Sequence, residues 1–152
     1  MSSLCLDYIL RQKVSANVNM FYLYQLPIPR LMAGDFFDAL VPRAARLTCT
    51  TPHFADLWQE VMGTPWPDDP LVCPPPRSGD PEIEALRQRL RDEIDALVAH
   101  LYGLSRDDFA HILGTFPLVF PETDAGRARR EALLAVYDEF AELVKRGAID
   151  ND

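Results

Sequence analysis

The chain has 152 residues, 48% hydrophobic and 25% charged, proportions that suit a folded globular unit and argue against disorder. No apolar run approaches the roughly 18 residues of a membrane span, and no basic stretch followed by an apolar one opens the chain, so a cytoplasmic protein without a membrane partner is expected. The formal charge of −8 is unevenly placed: residues 1–48 carry five Lys/Arg against three acids (net +2), residues 49–152 ten against twenty (net −10), which makes the second part a poor surface for nucleic acid.

Leu4, Leu6, Ile9 and Leu10 form a short apolar face that predicts a helix ending near Lys13. The aromatic-rich stretch Val18 to Leu26, bounded by Pro27 and Pro29, reads as a strand or extended segment. After Gly34, Asp35 is the expected N-cap of a helix carrying Phe36, Phe37, Leu40, Val41, Ala44 and Leu47, which Pro42 should kink or split. Thr51-Pro52 restarts a helix with Phe54, Leu57, Trp58 and Val61 that stops at Gly63. Six prolines between residues 64 and 79 forbid regular structure and predict a surface loop or linker.

Asp80-Pro81-Glu82 opens the longest helix, on which Ile83, Leu86, Leu90, Ile94, Leu97, Val98 and Leu101 make an amphipathic stripe ending at Gly103. Ser105 caps a short helix through Leu113, with Asp108 at its third position and Leu104 set to staple onto Phe109. Phe116 to Pro121 reads as extended. A last helix runs from about Arg127 to Arg146 with Ala132, Leu133, Val136, Phe140, Leu143 and Val144 inward. The fold class is therefore mainly α: five or six helices, with one or two short strands near residues 18–26 and 116–120. The organisation divides into 1–30, a helix plus extended segment; 31–63, helical; 64–79, the proline-rich loop; and 80–152, a C-terminal helical segment.

Little in the chain can carry chemistry. Cys5, Cys49 and Cys73, odd in number and widely spaced, predict buried free thiols rather than a disulfide framework or a zinc site. Asparagine occurs only at Asn17, Asn19 and Asn151, none followed by proline, and the seven glycines stand apart. Neither a polar-Pro-Pro-aromatic loop nor a cofactor-cradling turn can be assembled from them. The acidic groups Asp92/Glu93/Asp95 and Asp107/Asp108 read as solvated helix faces or partners of helix N-termini rather than metal ligands. His100 and His111 lie near polar–apolar borders, where structural or surface roles outweigh catalysis. Arg87, Arg89 and Arg91 stand among acids on the long helix and predict ion pairs on an exposed face. Arg127, Arg129 and Arg130 open the last helix, an unfavourable place for cations; they call for an external anion, or are answered by Glu122 and Asp124. No catalytic or metal-ligating residue is assigned.

Specific strings carry the reading further. Leu6-Asp7-Tyr8-Ile9-Leu10-Arg11-Gln12-Lys13-Val14-Ser15, then Asn19-Met20-Phe21-Tyr22 and Gln25-Leu26-Pro27-Ile28-Pro29, resemble a block of large bacterial adenine-N6 DNA methyltransferases. These include type IIG restriction-modification enzymes and related methylases of phage-defence systems. Leu90 through Ser105, Ile112-Leu113-Gly114-Thr115-Phe116-Pro117 and Tyr137-Asp138 resemble the helical C-terminus of the same family, in the same order, so that the likeness spans about half of the chain. Ala16 and Asn17 depart from the glycine and small residues usual before the family's strand.

The resemblance implies a non-catalytic accessory and DNA-recognition segment. Methyl transfer and the cofactor S-adenosylmethionine would belong to an upstream part of the parent, and no cofactor to this chain. It points to Arg11 and Lys13 for phosphate contact or docking, joined by Arg30, Arg43 and Arg46 as the remaining cations of the basic part. Phe21, Tyr22 and Tyr24 would face a partner, either an upstream methyltransferase domain or a second copy paired through residues 16–26, and DNA would be a further partner. The other reading is a stand-alone helical protein–protein interaction module.

Overall fold

A computed structural model describes residues 3–13 and 24–145. Six α-helices lie wholly within these described residues: α1 (Leu4–Lys13), α2 (Asp35–Thr48), α3 (Ala55–Met62, entered by a 3-10 turn at Pro52–Phe54), α4 (Pro81–Leu101), α5 (Arg106–Gly114) and α6 (Asp124–Lys145). The fold is mainly helical, with no strand among the described residues. Residues 18–23 of the first expected strand lie outside that set; Tyr24 is helical, and Gln25 and Leu26 form a turn and a bend.

The second expected strand is a turn. Val119 and Phe120 both donate their amides to the Phe116 carbonyl, at 3.0 and 2.8 Å, so the chain reverses there. Pro117, the residue after Phe116, suits the second position of a tight turn, and this outweighs the aromatic content that suggested extension. The reversal buries Phe116 and Phe120 and leaves Leu118 in solvent.

The helix ends follow local chemistry. Asp80 accepts the Glu82 amide at 2.8 Å and Pro81 occupies the first helical position of α4. At its other end the Leu104 and Gly103 amides reach the Ala99 and His100 carbonyls (3.0 and 2.9 Å), with Gly103 at φ 64, a double closure that satisfies carbonyls otherwise left open. Ser105 and Asp108 cap each other's amides at the start of α5. α6 begins three residues before the expected Arg127, because the Thr123 hydroxyl accepts the Gly126 amide at 3.1 Å and its carbonyl the Arg127 amide at 2.9 Å. α2 is capped by Gly34 rather than by Asp35, with no side-chain bond, and runs on through Pro42 instead of splitting there.

α4 is the spine, packed against α6 and α2 and touched by α1. Every residue from Ile94 to Ala99 is buried, so the helix is covered over far more than one stripe. Leu97, Phe109, Leu113, Leu133 and Leu134 fill the centre, with Cys5 of α1 joining them. On α6 the inward residues are Leu133, Leu134, Val136, Tyr137 and Phe140; Ala132 and Val144 face out, and the Leu143 side chain is outside the described set.

A smaller cluster joins Ala45, Cys49, Trp58 and Cys73, flanked by Met62, Trp66 and Val72. It makes the proline-rich segment more than a linker. Trp66 Nε1 donates to the Cys49 carbonyl at 2.8 Å, Arg46 to the Val72 carbonyl at 2.8 Å, and Arg87 to the Pro74 carbonyl at 2.7 Å. All three cysteines are free and buried, as their spacing suggested, and burial pushes the Cys5 thiol up to about 12. No helix among the described residues is long and apolar enough to cross a membrane.

Candidate functional site

A cleft of about 670 Å³ lies between the start of α1, the end of α2, the middle of α4 and the Val119–Phe120 turn. Its wall on α4 follows from helical spacing: Arg87, Arg91 and Asp95 succeed one another every four residues, with Gln88 and Asp92 alongside. Ser3 and Leu4 close one end, Leu47 and Thr48 the other, and Phe120 and Arg129 come from the α6 side.

The two aspartates correct the expectation of a solvated acidic face: Asp92 is 7% and Asp95 6% exposed. Asp92 pairs with Arg129 and accepts Gln88 Nε2 at 3.0 Å. Asp95 accepts the Leu4 amide at 2.6 Å, tying the first turn of α1 to the spine. Burial raises the Asp95 carboxyl to about 7, the Asp92 charge adding to the effect and the Leu4 amide and Arg129 opposing it. Glu93, the third acid of the group, is half-buried and bonded to Arg43 and Arg89, both at 2.7 Å.

The arginines of α4 divide. Arg89 makes the expected surface pairs, to Glu93 and to Glu139 at 2.5 Å. Arg87 does not: its Nη1 serves the Leu47 and Pro74 carbonyls (3.3 and 2.7 Å) and its buried Nε meets no acceptor. Burial, and then the neighbouring charge of Arg91, lower its pKa, with Glu84 opposing. Arg91 is exposed and makes no ion pair or hydrogen bond among the described residues.

At the head of α6, internal acids answer the basic cluster. Arg127 bonds to Asp124 at 2.5 Å, Arg130 approaches Glu122 at 3.6 Å, and Arg129 reaches back to Asp92. His100 stacks on Tyr137 with ring centroids 4.0 Å apart and its Nε2 lies 2.9 Å from the Tyr137 carbonyl, a structural role.

The residues singled out from the sequence do not form one patch. Arg11 lies on α1, paired with Asp7 at 3.1 Å and stacked over Phe116 at 4.5 Å; Lys13 is near the Gln25 carbonyl at 3.4 Å; both are exposed. Arg30 is exposed in the irregular segment before α2. Arg43 and Arg46 are half-buried and occupied, Arg43 with Glu93 and the Ala39 carbonyl, Arg46 with the carbonyls of Leu71 and Val72. Tyr24 is 81% exposed; Phe21 and Tyr22 lie outside the described residues. What the sequence reading missed is the cleft itself, whose only signal was the row of charges on α4 at four-residue spacing. No group of three or more metal-ligating side chains occurs among the described residues. No family model matches the chain, and no match is found among curated proteins or solved structures.

Proposed function

We propose that the chain is a non-catalytic accessory and DNA-recognition segment of an adenine-N6 DNA methyltransferase of restriction-modification or phage-defence type. In this reading it braces a neighbouring part that binds S-adenosylmethionine and transfers the methyl group. The observation that carries it is that the separate stretches resembling the family meet in space. Arg11 of the first stretch stacks on Phe116 of the second, and the Tyr102 hydroxyl donates to the Pro27 carbonyl at 2.8 Å. The Tyr137 hydroxyl donates to the Leu104 carbonyl at 2.7 Å.

Two further features favour a bracing role. Tyr24, Ile28 and Met32, within and on either side of the Gln25-Leu26-Pro27-Ile28-Pro29 string, leave apolar surface in solvent, with Met32 at 85%. Arg11 and Lys13 end α1 with exposed side chains, a position from which both can reach a phosphate backbone. Salt-dependent binding of labelled duplex DNA tests this. The expectation is binding at low salt that weakens steeply as salt rises and falls in the Arg11→Glu/Lys13→Glu double variant. Absence of binding at low salt would favour the stand-alone protein-interaction module instead.

A further inference from the structure

The charges in the cleft do not balance group by group. Its acids are all engaged: Asp92 by Arg129 and Gln88, Asp95 by the Leu4 amide, Asp7 by Arg11. The groups left over are donors. Arg87 Nε is buried without an acceptor, and Arg91 makes no bond among the described residues. A buried donor without an acceptor is costly, and two guanidiniums one helical turn apart repel each other. One anion beside the two guanidiniums would offset their mutual repulsion.

We propose that this cleft binds a small phosphate-bearing molecule, its phosphate held by Arg87 and Arg91 and its organic part lying against Leu47 and Phe120. A doubly charged phosphate matches two adjacent guanidiniums better than a single carboxylate does. A volume of about 670 Å³ is in the range of small-ligand pockets. A polyanion such as DNA, which would extend beyond the cleft, is disfavoured because residues 49–152 carry a net charge of −10. This site does not depend on the methyltransferase reading, and either can fail alone.

The test is calorimetric titration of the full chain with inorganic phosphate and with adenosine 5′-monophosphate at constant ionic strength. Arg91→Gln is the key variant, since Arg91 is exposed and supports no neighbour; circular dichroism checks its fold, and Arg87→Gln is a second probe. The expected result is saturable one-site binding of at least one probe, weakened about tenfold or more by Arg91→Gln. Three results would overturn the proposal: no saturable heat at millimolar probe, equal affinity in Arg91→Gln and the parent chain, or duplex DNA binding that Arg91→Gln abolishes while neither small probe binds.

Discussion

Asp95 makes the stability of this fold sensitive to pH, and Asp95→Asn isolates the effect. The carboxyl titrates at about 7 in the folded chain against 3.8 for an unperturbed aspartate. A carboxyl raised in this way contributes its full stability below pH 3.8 and loses it as pH climbs through about 7, because only the folded state holds the proton in that window. At about 1.4 kcal/mol for each pH step, the loss reaches on the order of 4 kcal/mol at high pH, of which roughly 2–3 kcal/mol falls between about pH 5 and pH 8. Asparagine has the same shape, can still accept the Leu4 amide through its side-chain oxygen, and carries no charge at any pH. Urea unfolding followed by helical circular dichroism at both pH values reads the difference directly. The parent chain should lose about 2–3 kcal/mol more than Asp95→Asn on going to the higher pH, and the variant should be the more stable of the two there. Parallel pH profiles, or a variant weaker at both ends, would refute the assignment of a buried Asp95 with a raised pKa.

Three other outcomes follow from the packing. Arg129→Met leaves Asp92 buried without its cation and should cost roughly 3 kcal/mol in denaturant unfolding, whereas Arg129→Met combined with Asp92→Leu should recover much of that loss. Gly126 is buried against the turn before α6, where an added Cβ would collide with the Pro121 carbonyl and come within 2.8 Å of its Cδ. Gly126→Ala should therefore lower stability by about 1–3 kcal/mol, the reverse of the usual gain from alanine in a helix, and a raised melting temperature would contradict it. Ser105→Ala removes half of the reciprocal cap of α5 and should cost about 1 kcal/mol in the same assay, with hydrogen exchange accelerated first at the start of that helix.

The parts of the fold legible in the sequence are those decided by neighbours in the chain. The start and stop of α4, the reciprocal cap at Ser105 and Asp108, and the alternation of three and four along the spine depend on residues within a few positions of one another. What escaped depends on distant partners. Asp92 and Asp95 look like surface acids because helical periodicity assumes one covered stripe, while α4 is wrapped by α1, α2 and α6. Small residues at Ala96 and Ala99, both fully buried, were the available hint of close approach on that side. The partner of Arg129 lies 37 residues away, and nothing local to Arg129 names it. The same holds for Arg43 and Arg46: their positive charge was visible, but not that Glu93 and the loop carbonyls of Leu71 and Val72 absorb it. Of the cations expected at a phosphate surface, Arg11, Lys13 and Arg30 are therefore the exposed ones.

The central claim is that the chain supports chemistry performed by a neighbour. It is tested most directly by supplying the purified chain to the catalytic and recognition part of an adenine-N6 DNA methyltransferase from the same genome and measuring N6-methyladenine formed on plasmid DNA. A stable complex and faster methylation are expected with the chain present, and no methylation from the chain alone. Methyl transfer by the chain alone, or a methylation rate and elution profile unchanged by its addition, would contradict it.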